Sequence, residues 1–462
     1  MFKKYIFLSL IFCGINSFSQ EIVNSIPVQT HQDSQFYQAV NDSSKQTTLF
    51  VVNEKENLAK AIQLDEKMQV LNSVSGAKSD KSYSSVIGNM ASDKAAALVW
   101  SSNKKKILVQ SFDLKDNKTN EKTYNLEFKE EVYLQDYCVG NKFIILSIVK
   151  KSNLFKLYVF DELGNLEIKD IDLSGVKFYH RTNLYDTFLE DFASAERGLS
   201  LAKITPETIT PPSIASRKRK SYVIDNQIVI SFDSNQNYTQ VIQIDLETYK
   251  MTSKNFLQRP LKDFGTTDVK CNSFVIKDQL YQVKMSSKKM YLTIKDLNNN
   301  LIKEYILEKD SPIDFMNSPK NRTVNTSAKD FFRNFNFGDE SPVAISCYEI
   351  NENNLTSISA LSAGLSTGQA VMMNFGAVGG LIGALAFSPS NDKTANAINS
   401  LFDHQGNHIE GDLERMAVDK IEIFLTENKS IDSKLLFKND DAFYLGYFNS
   451  GAKEFVIRKF VN

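Results

Sequence analysis

The chain has 462 residues, 42% of them hydrophobic and 24% charged, with a formal net charge of −1. Its 32 Phe and 18 Tyr exclude a disordered chain, and near-neutrality excludes a general nucleic-acid binder, whose affinity rests on neutralising phosphates. Only the N-terminus and one internal stretch are long, apolar and uncharged, which excludes a multi-span membrane protein.

Residues 1–19 have the form of a cleaved signal peptide. Lys3 and Lys4 supply the positive start, Tyr5 to Ile15 the apolar stretch, and Ser17 and Ser19 the small residues before the cut. Cys13 invites a lipoprotein reading, but Phe12 stands where a small residue is usual. The expectation is export to the periplasm, the outer membrane or the outside, with 20–462 as a single domain.

Beyond that point short alternating runs recur. Phe274–Ile276, Leu280–Met285, Met290–Leu297 and Leu301–Leu307 are four such runs separated by polar turns, the pattern of an antiparallel meander. An acid ends the third run of each unit: Asp65, Asp113, Asp161, Asp245 and Asp296, at intervals of 48, 48, 84 and 51. A period of roughly 40–50 residues with four strands is that of propeller blades. The fold expected is all-β, a β-propeller of six or seven four-stranded blades, seven preferred. Units begin near Thr47, Ala95, Val132, Lys220, Val269, Pro342 and Lys434. The last is one strand short, and Phe36–Val40 is a candidate to complete it and close the ring. The recurring Asp is read as a cap of the turn after the third strand.

Two partly helical insertions interrupt the period. The first, 180–215, has Tyr185, Phe188, Leu189 and Phe192 at helical spacing, then a crossover with Pro206, Pro211 and Pro212. Arg217-Lys218-Arg219-Lys220 follows and is read as a solvated strand edge. The second, 359–425, opens on Leu361 to Phe387, which has no charged residue. There Gly364 and Gly368, Gly376 and Gly380, and Gly379 and Gly383 are four apart, the spacing that lets helix backbones approach closely. These glycines are candidates for peripheral membrane or partner contact. An amphipathic helix carrying Leu413, Met416, Ala417, Ile421, Phe424 and Leu425 closes the insertion.

Between them, Asp403 to Glu410 places His404 and His408 four apart beside Glu410. Imidazole and carboxylate are transition-metal ligands, so these three are the metal candidates, although Gly406 favours a loop with solvated imidazoles. Cys138, Cys271 and Cys347 remain after cleavage. An odd number in separate units argues for three free, buried thiols.

The secretory start, the meander repeats, the insert rich in Gly and Met, and the run from Leu401 to Glu410 resemble uncharacterised secreted β-propeller-like proteins of gram-negative bacteria. The resemblance implies a propeller-like body and carries no catalytic residues. No Gly-x-Ser-x-Gly elbow, phosphate loop, His-Glu-x-x-His or EF-hand loop occurs, and no cofactor is expected. The function expected is a binding or scaffold module of the cell envelope, with a protein or glycan partner and no nucleic acid. The alternatives are a glycan- or peptide-acting hydrolase or lyase with its site in the funnel, and a membrane-associated protein anchored through 361–387.

Overall fold

The computed structural model describes residues 20–28, 34–41, 43–53, 55–178, 181–189, 199–204, 210–317, 327–333, 342–350, 352–360 and 397–462. Among these the strands form seven sheets, met in chain order. The first strand, β1 (Gln20–Pro27), belongs to the last sheet. Sheet one is β2 (Gln35–Val40), β3 (Thr47–Asn53), β4 (Leu58–Leu64) and β5 (Val70–Ala77). Sheet two is β6 (Ser85–Ala91), β7 (Ala95–Ser101), β8 (Lys106–Asp113) and β9 (Lys118–Asn125). Sheet three is β10 (Glu131–Val139), β11 (Lys142–Val149), β12 (Leu154–Asp161) and β13 (Leu166–Asp172). Sheet four is β14 (Ala202–Ile204), β15 (Arg219–Ile224), β16 (Gln227–Phe232), β17 (Tyr238–Asp245) and β18 (Met251–Leu257). Sheet five is β19 (Lys270–Ile276), β20 (Gln279–Met285), β21 (Lys289–Asp296) and β22 (Leu301–Glu308). Sheet six is β23 (Val343–Ile350), β24 (Asn353–Ala360) and β25 (Ala397–Phe402). Sheet seven is β26 (Asp432–Asn439), β27 (Ala442–Asn449) and β28 (Glu454–Val461), with β1 outermost.

Apart from β14 the strands pair antiparallel, and most neighbours within a sheet are joined by turns too short for a crossover. β7, for instance, is wholly buried, as Ala95-Ala-Ala-Leu-Val-Trp-Ser101 has to be when both faces are covered. The covering comes from the next sheet. Phe50 of sheet one packs with Trp100 and Leu108 of sheet two. Val99 and Val109 of sheet two pack with Phe143 and Phe160 of sheet three. Ile144 and Leu157 of sheet three meet Ile228 and Ile242 of sheet four. A continuous cluster then joins sheets four, five and six through Tyr222, Phe274 and Ile345. Tyr348 of sheet six meets Phe443 and Phe460 of sheet seven, and Phe455 of sheet seven meets Phe36 and Leu49 of sheet one. The chain of interfaces returns to its start, so the sheets form a closed ring. This is a β-propeller.

Closure is made by β1, which pairs antiparallel with β28 from Gln20↔Phe460 to Pro27↔Glu454. The sequence expectation that Phe36–Val40 does this is corrected. That run is β2, the innermost strand of sheet one. β6 likewise precedes the expected unit start at Ala95. Both strands mix polar and apolar residues, so their alternation is weak in sequence.

Helices occupy the connections. α1 (Leu184–Phe188) begins at Asn183, whose side chain accepts from the Asp186 N–H at 2.9 Å. After it, β14 pairs parallel with β15 and covers its inner edge. α2 (Pro212–Ala215) packs on β23. Two described parts of the crossover from sheet three to sheet four, β14 and α2, thus lie along the inner strands of sheets four and six. α3 (Ala328–Arg333) lies between sheets five and six. α4 (Ala417–Glu427) starts where Asp419 accepts from the Met416 N–H at 2.9 Å, and Leu413 precedes it. Its Val418, Ile421 and Phe424 pack on sheet seven beside Tyr348.

Segment 397–402, placed by the sequence reading inside the second insertion, is β25, with alternating burial and a partner in β24. A fourth strand of sheet six is reduced to the bridge Phe402↔His408. Asn317 takes over part of its pairing. Its N–H donates to Asn399 O at 2.8 Å, and its Oδ1 accepts from Leu401 N at 2.7 Å.

Candidate functional site

The topology gives the ring two different ends. One end carries the turns from first to second and from third to fourth strand. The other carries the turns from second to third strand and the connections between sheets, except that from sheet six to sheet seven, which leaves β25 at the first end and enters α4 beside Asn462.

At the first end the recurring acids act as expected. Oδ1 of Asp65, Asp113, Asp161, Asp245 and Asp296 accepts the N–H two residues on, at 2.9–3.0 Å, and a second one further along. In the tightest form the fifth residue is Asn and returns a bond. Asn165 Nδ2 donates to Asp161 Oδ2 at 2.7 Å, and Asn300 Nδ2 to Asp296 Oδ2 at 2.8 Å. The Asn300 side chain leads the bonds that hold the Asp296 carboxyl below its ordinary value.

The His-containing run is a sixth copy of this turn. Asp403 Oδ1 accepts from Asn407 N at 2.7 Å, and Asn407 Nδ2 returns to Asp403 Oδ2 at 3.1 Å. Gly406 has φ 74°, matching Gly164 at 77°. The preceding sheet grips both turns identically. Tyr124 OH donates to Gly164 O at 2.6 Å and Lys122 Nζ to Asn165 Oδ1 at 2.6 Å. Tyr305 OH donates to Gly406 O at 2.8 Å and Lys303 Nζ to Asn407 Oδ1 at 3.1 Å. The shared pattern Asp-x-x-Gly-Asn, with Lys-x-Tyr in the fourth strand of the preceding sheet, was the sequence signal for this latch.

That context locates the metal candidates. His404 is exposed, with Nε2 3.9 Å from Asp278 Oδ2 of sheet five. His408 is half-buried, and its Nε2 lies 3.0 Å from Asn317 Oδ1. Burial lowers its pKa, against the pull of Glu410 and Asp314. Glu410 is exposed. Each imidazole engages a different neighbour, and among the described residues no three His, Cys, Asp or Glu side chains group so as to hold a metal. Gly364, Gly368, Gly376, Gly379, Gly380 and Gly383 lie outside the described residues.

At the second end lies a buried polar network. The expectation of a solvated edge at Arg217–Lys220 is corrected, because Arg219 and Lys220 are buried. The crossover explains this: β14 covers the edge they would otherwise show. Lys220 Nζ donates to Asp233 Oδ2 at 3.0 Å, Asn272 Oδ1 at 2.7 Å and Arg217 O at 2.6 Å. Asp233 also accepts from Thr239 Oγ1 at 2.8 Å, and from Ser273 N at 3.0 Å and Oγ at 2.9 Å. Asn272 Nδ2 donates to Ser216 O and Val343 O, tying sheets four, five and six together. Arg219 donates to Phe188 O of α1. Burial would raise the Asp233 pKa, but Lys220, Lys218 and the hydrogen bonds outweigh it and hold it low. Nothing in the sequence joined Asp233 to Lys220.

Two carboxylates of innermost β10 are each engaged. Glu131 accepts from Ser147 Oγ at 2.6 Å and Tyr158 OH at 2.9 Å, with Lys156 at 3.7 Å. Asp136 accepts from Tyr133 OH and faces Lys203 at 3.6 Å. All three described cysteines are free. Cys271 and Cys347 are buried as expected, whereas Cys138, on innermost β10, is exposed. Burial pushes the Cys347 thiol up to about 12.

The three longest interruptions all leave from this second end: 173–218 between sheets three and four, 309–342 between sheets five and six, and 361–396 between β24 and β25.

No family model matches the chain, and no curated protein matches it. Among solved structures, the WD40 domain of SCAP from fission yeast is 11% identical, covering 97% of this chain and 88% of that one, with a TM-score of 0.30. An uncharacterized protein from Listeria monocytogenes EGD-e is 10% identical, covering 95% and 98%, with a TM-score of 0.31. TolB from Acinetobacter baumannii is 11% identical, covering 70% and 60%, with a TM-score of 0.21. Likenesses this distant carry no argument, and the ring rests on its own strand pairing and interfaces.

Proposed function

We propose that this chain is an exported binding or scaffold module of the cell envelope, working through the end of the ring that carries its long connections. The observation that carries the reading is that three long connections leave one end of a closed ring, above side chains locked in a buried network. Loops mounted on a rigid scaffold are where recognition concentrates. Lys3, Lys4 and the apolar stretch after them support export.

The hydrolase or lyase alternative needs acids or imidazoles converging in the funnel. Glu131, Asp136 and Asp233 are instead each held by their own cation and hydroxyl donors, which supports binding over chemistry. Attachment through 361–387 remains a proposal from composition. No helix among the described residues is long and apolar enough to cross a membrane.

The test is affinity capture from envelope extracts with two baits: the mature chain, and a variant with residues 361–388 replaced by a short Gly/Ser linker. A partner retained by the first and lost by the second supports the reading. A folded variant that captures the same proteins in the same amounts removes that segment from it.

A further inference from the structure

We infer that the end carrying the turns from second to third strand docks on a lipid surface bearing anionic phosphate headgroups. Those turns present Lys453 in sheet seven, Lys55 in sheet one, Lys104 and Lys105 in sheet two, and Lys150 and Lys151 in sheet three. All six are exposed, and they span four successive sheets. The only acid among the described residues of these four turns is Glu56. Lys104 rests over the Tyr133 ring and Lys150 reaches Lys129 O, yet both stay exposed.

The opposite end has the opposite sign. Its turns from third to fourth strand open on Asp65, Asp113, Asp161, Asp245, Asp296 and Asp403, and four of the six add a second acid. A net charge of −1 conceals this separation along the ring axis. Strands of seven or eight residues such as β7 and β8 set the two ends apart. At about 3.3 Å per residue that is roughly 25 Å, beyond two Debye lengths of about 8–10 Å at physiological salt. An anionic plane against these turns therefore feels their lysines while the acids of the opposite end are screened from it; Asp80, Glu127 and Glu130, exposed in the connections at the lysine end, offset part of that attraction.

A second copy stacked head to tail would also match charge. Such a contact is heterologous and repeats into an open filament. A lipid surface takes the same lysines without any such propagation, and clustered lysines on one face suit anionic headgroups. This goes beyond the binding-module reading and stands whether or not a protein partner exists.

The test is flotation of the mature chain with phosphatidylcholine vesicles and with equimolar phosphatidylcholine–phosphatidylglycerol vesicles, at low and high salt and with added inorganic phosphate. The variant carries Lys104→Gln, Lys105→Gln, Lys150→Gln and Lys151→Gln; the control carries Lys67→Gln, Lys115→Gln and Lys250→Gln at the acidic end. At about fivefold per lysine, the variant loses on the order of several hundredfold in partitioning to the anionic vesicles. The control keeps its binding, salt weakens both, and far-UV circular dichroism confirms that both fold. Four results overturn the proposal: no preference for anionic vesicles, equal binding by variant and wild type, full competition by inorganic phosphate at matched ionic strength, or salt-sensitive self-association without vesicle binding. The last assigns the end to a second copy.

Discussion

Lys220→Met probes the buried network most sharply. Lys220 and Asp233 are both 0% exposed and 3.0 Å apart, so the substitution leaves a carboxylate in the interior with only hydroxyl and amide donors. Breaking a buried pair in this way costs about 3–5 kcal/mol. An unfolding entropy of about 2.1 cal/mol/K per residue, over 462 residues, gives roughly 1 kcal/mol per kelvin, so Tm falls by about 3–5 °C. The pH dependence carries the mechanism. In the wild type the Asp233 pKa is held below its unfolded value of about 3.9. Its contribution is therefore complete above about pH 4 and lost as pH falls through the folded value. Without Lys220, burial is the dominant influence and raises the carboxyl above its unfolded value. The variant is then penalised at neutral pH and relieved by protonation. Differential scanning calorimetry from pH 7 down to pH 4 should show the gap between variant and wild type narrowing. A gap under about 1 kcal/mol at pH 7, or one constant with pH, refutes the reasoning.

The latch turns predict a matched pair of effects. Gly164→Ala and Gly406→Ala force a Cβ onto positive φ, 3.3 Å from Val109 and 3.0 Å from Lys303, and should each cost about 1–2 kcal/mol in urea titrations. Tyr124→Phe and Tyr305→Phe should each cost about 1 kcal/mol; unequal effects within either pair would show that the turns are not equivalent. Deleting residues 20–28 removes Ile26 and Val28 from the core and bares the outer edge of β28. The truncated chain should melt earlier and associate with concentration, and unchanged melting and monodispersity would place closure elsewhere. In the mature chain a thiol reagent should find one reactive cysteine in the native state, Cys138, and three after denaturation. Rapid native labelling of Cys347 would contradict its burial.

The ring was legible wherever the sequence repeats with a reason. Each Asp that ends a third strand caps a turn, so a local rule survived folding in every copy. The unit starts were less visible. β2 and β6 carry Gln, Ser and Asn among their apolar residues, because an innermost strand shows part of its surface to the axis. Closure by β1 was illegible, since its register with β28 joins residues more than 400 apart. The Arg217–Lys220 run misled because charge in sequence says nothing of what lies above it. The crossover covers two of its side chains; Lys220 finds Asp233, just past β16, and Asn272 of β19, while Arg219 finds Phe188 O of α1. Asp403 was hidden by its neighbours: two histidines drew attention to metal chemistry in what is a copy of the Asp161 turn.

The central claim is that one end of a closed ring does the work. Photoreactive benzoylphenylalanine introduced in cells at Asn103 and Ser152, in turns of the long-connection end, and separately at Glu162 and Glu247, in turns of the opposite end, tests it directly. The account predicts crosslinks to an envelope component from Asn103 and Ser152 and none from Glu162 or Glu247. Crosslinks confined to the Glu162 and Glu247 positions, or equal at both ends, would contradict it.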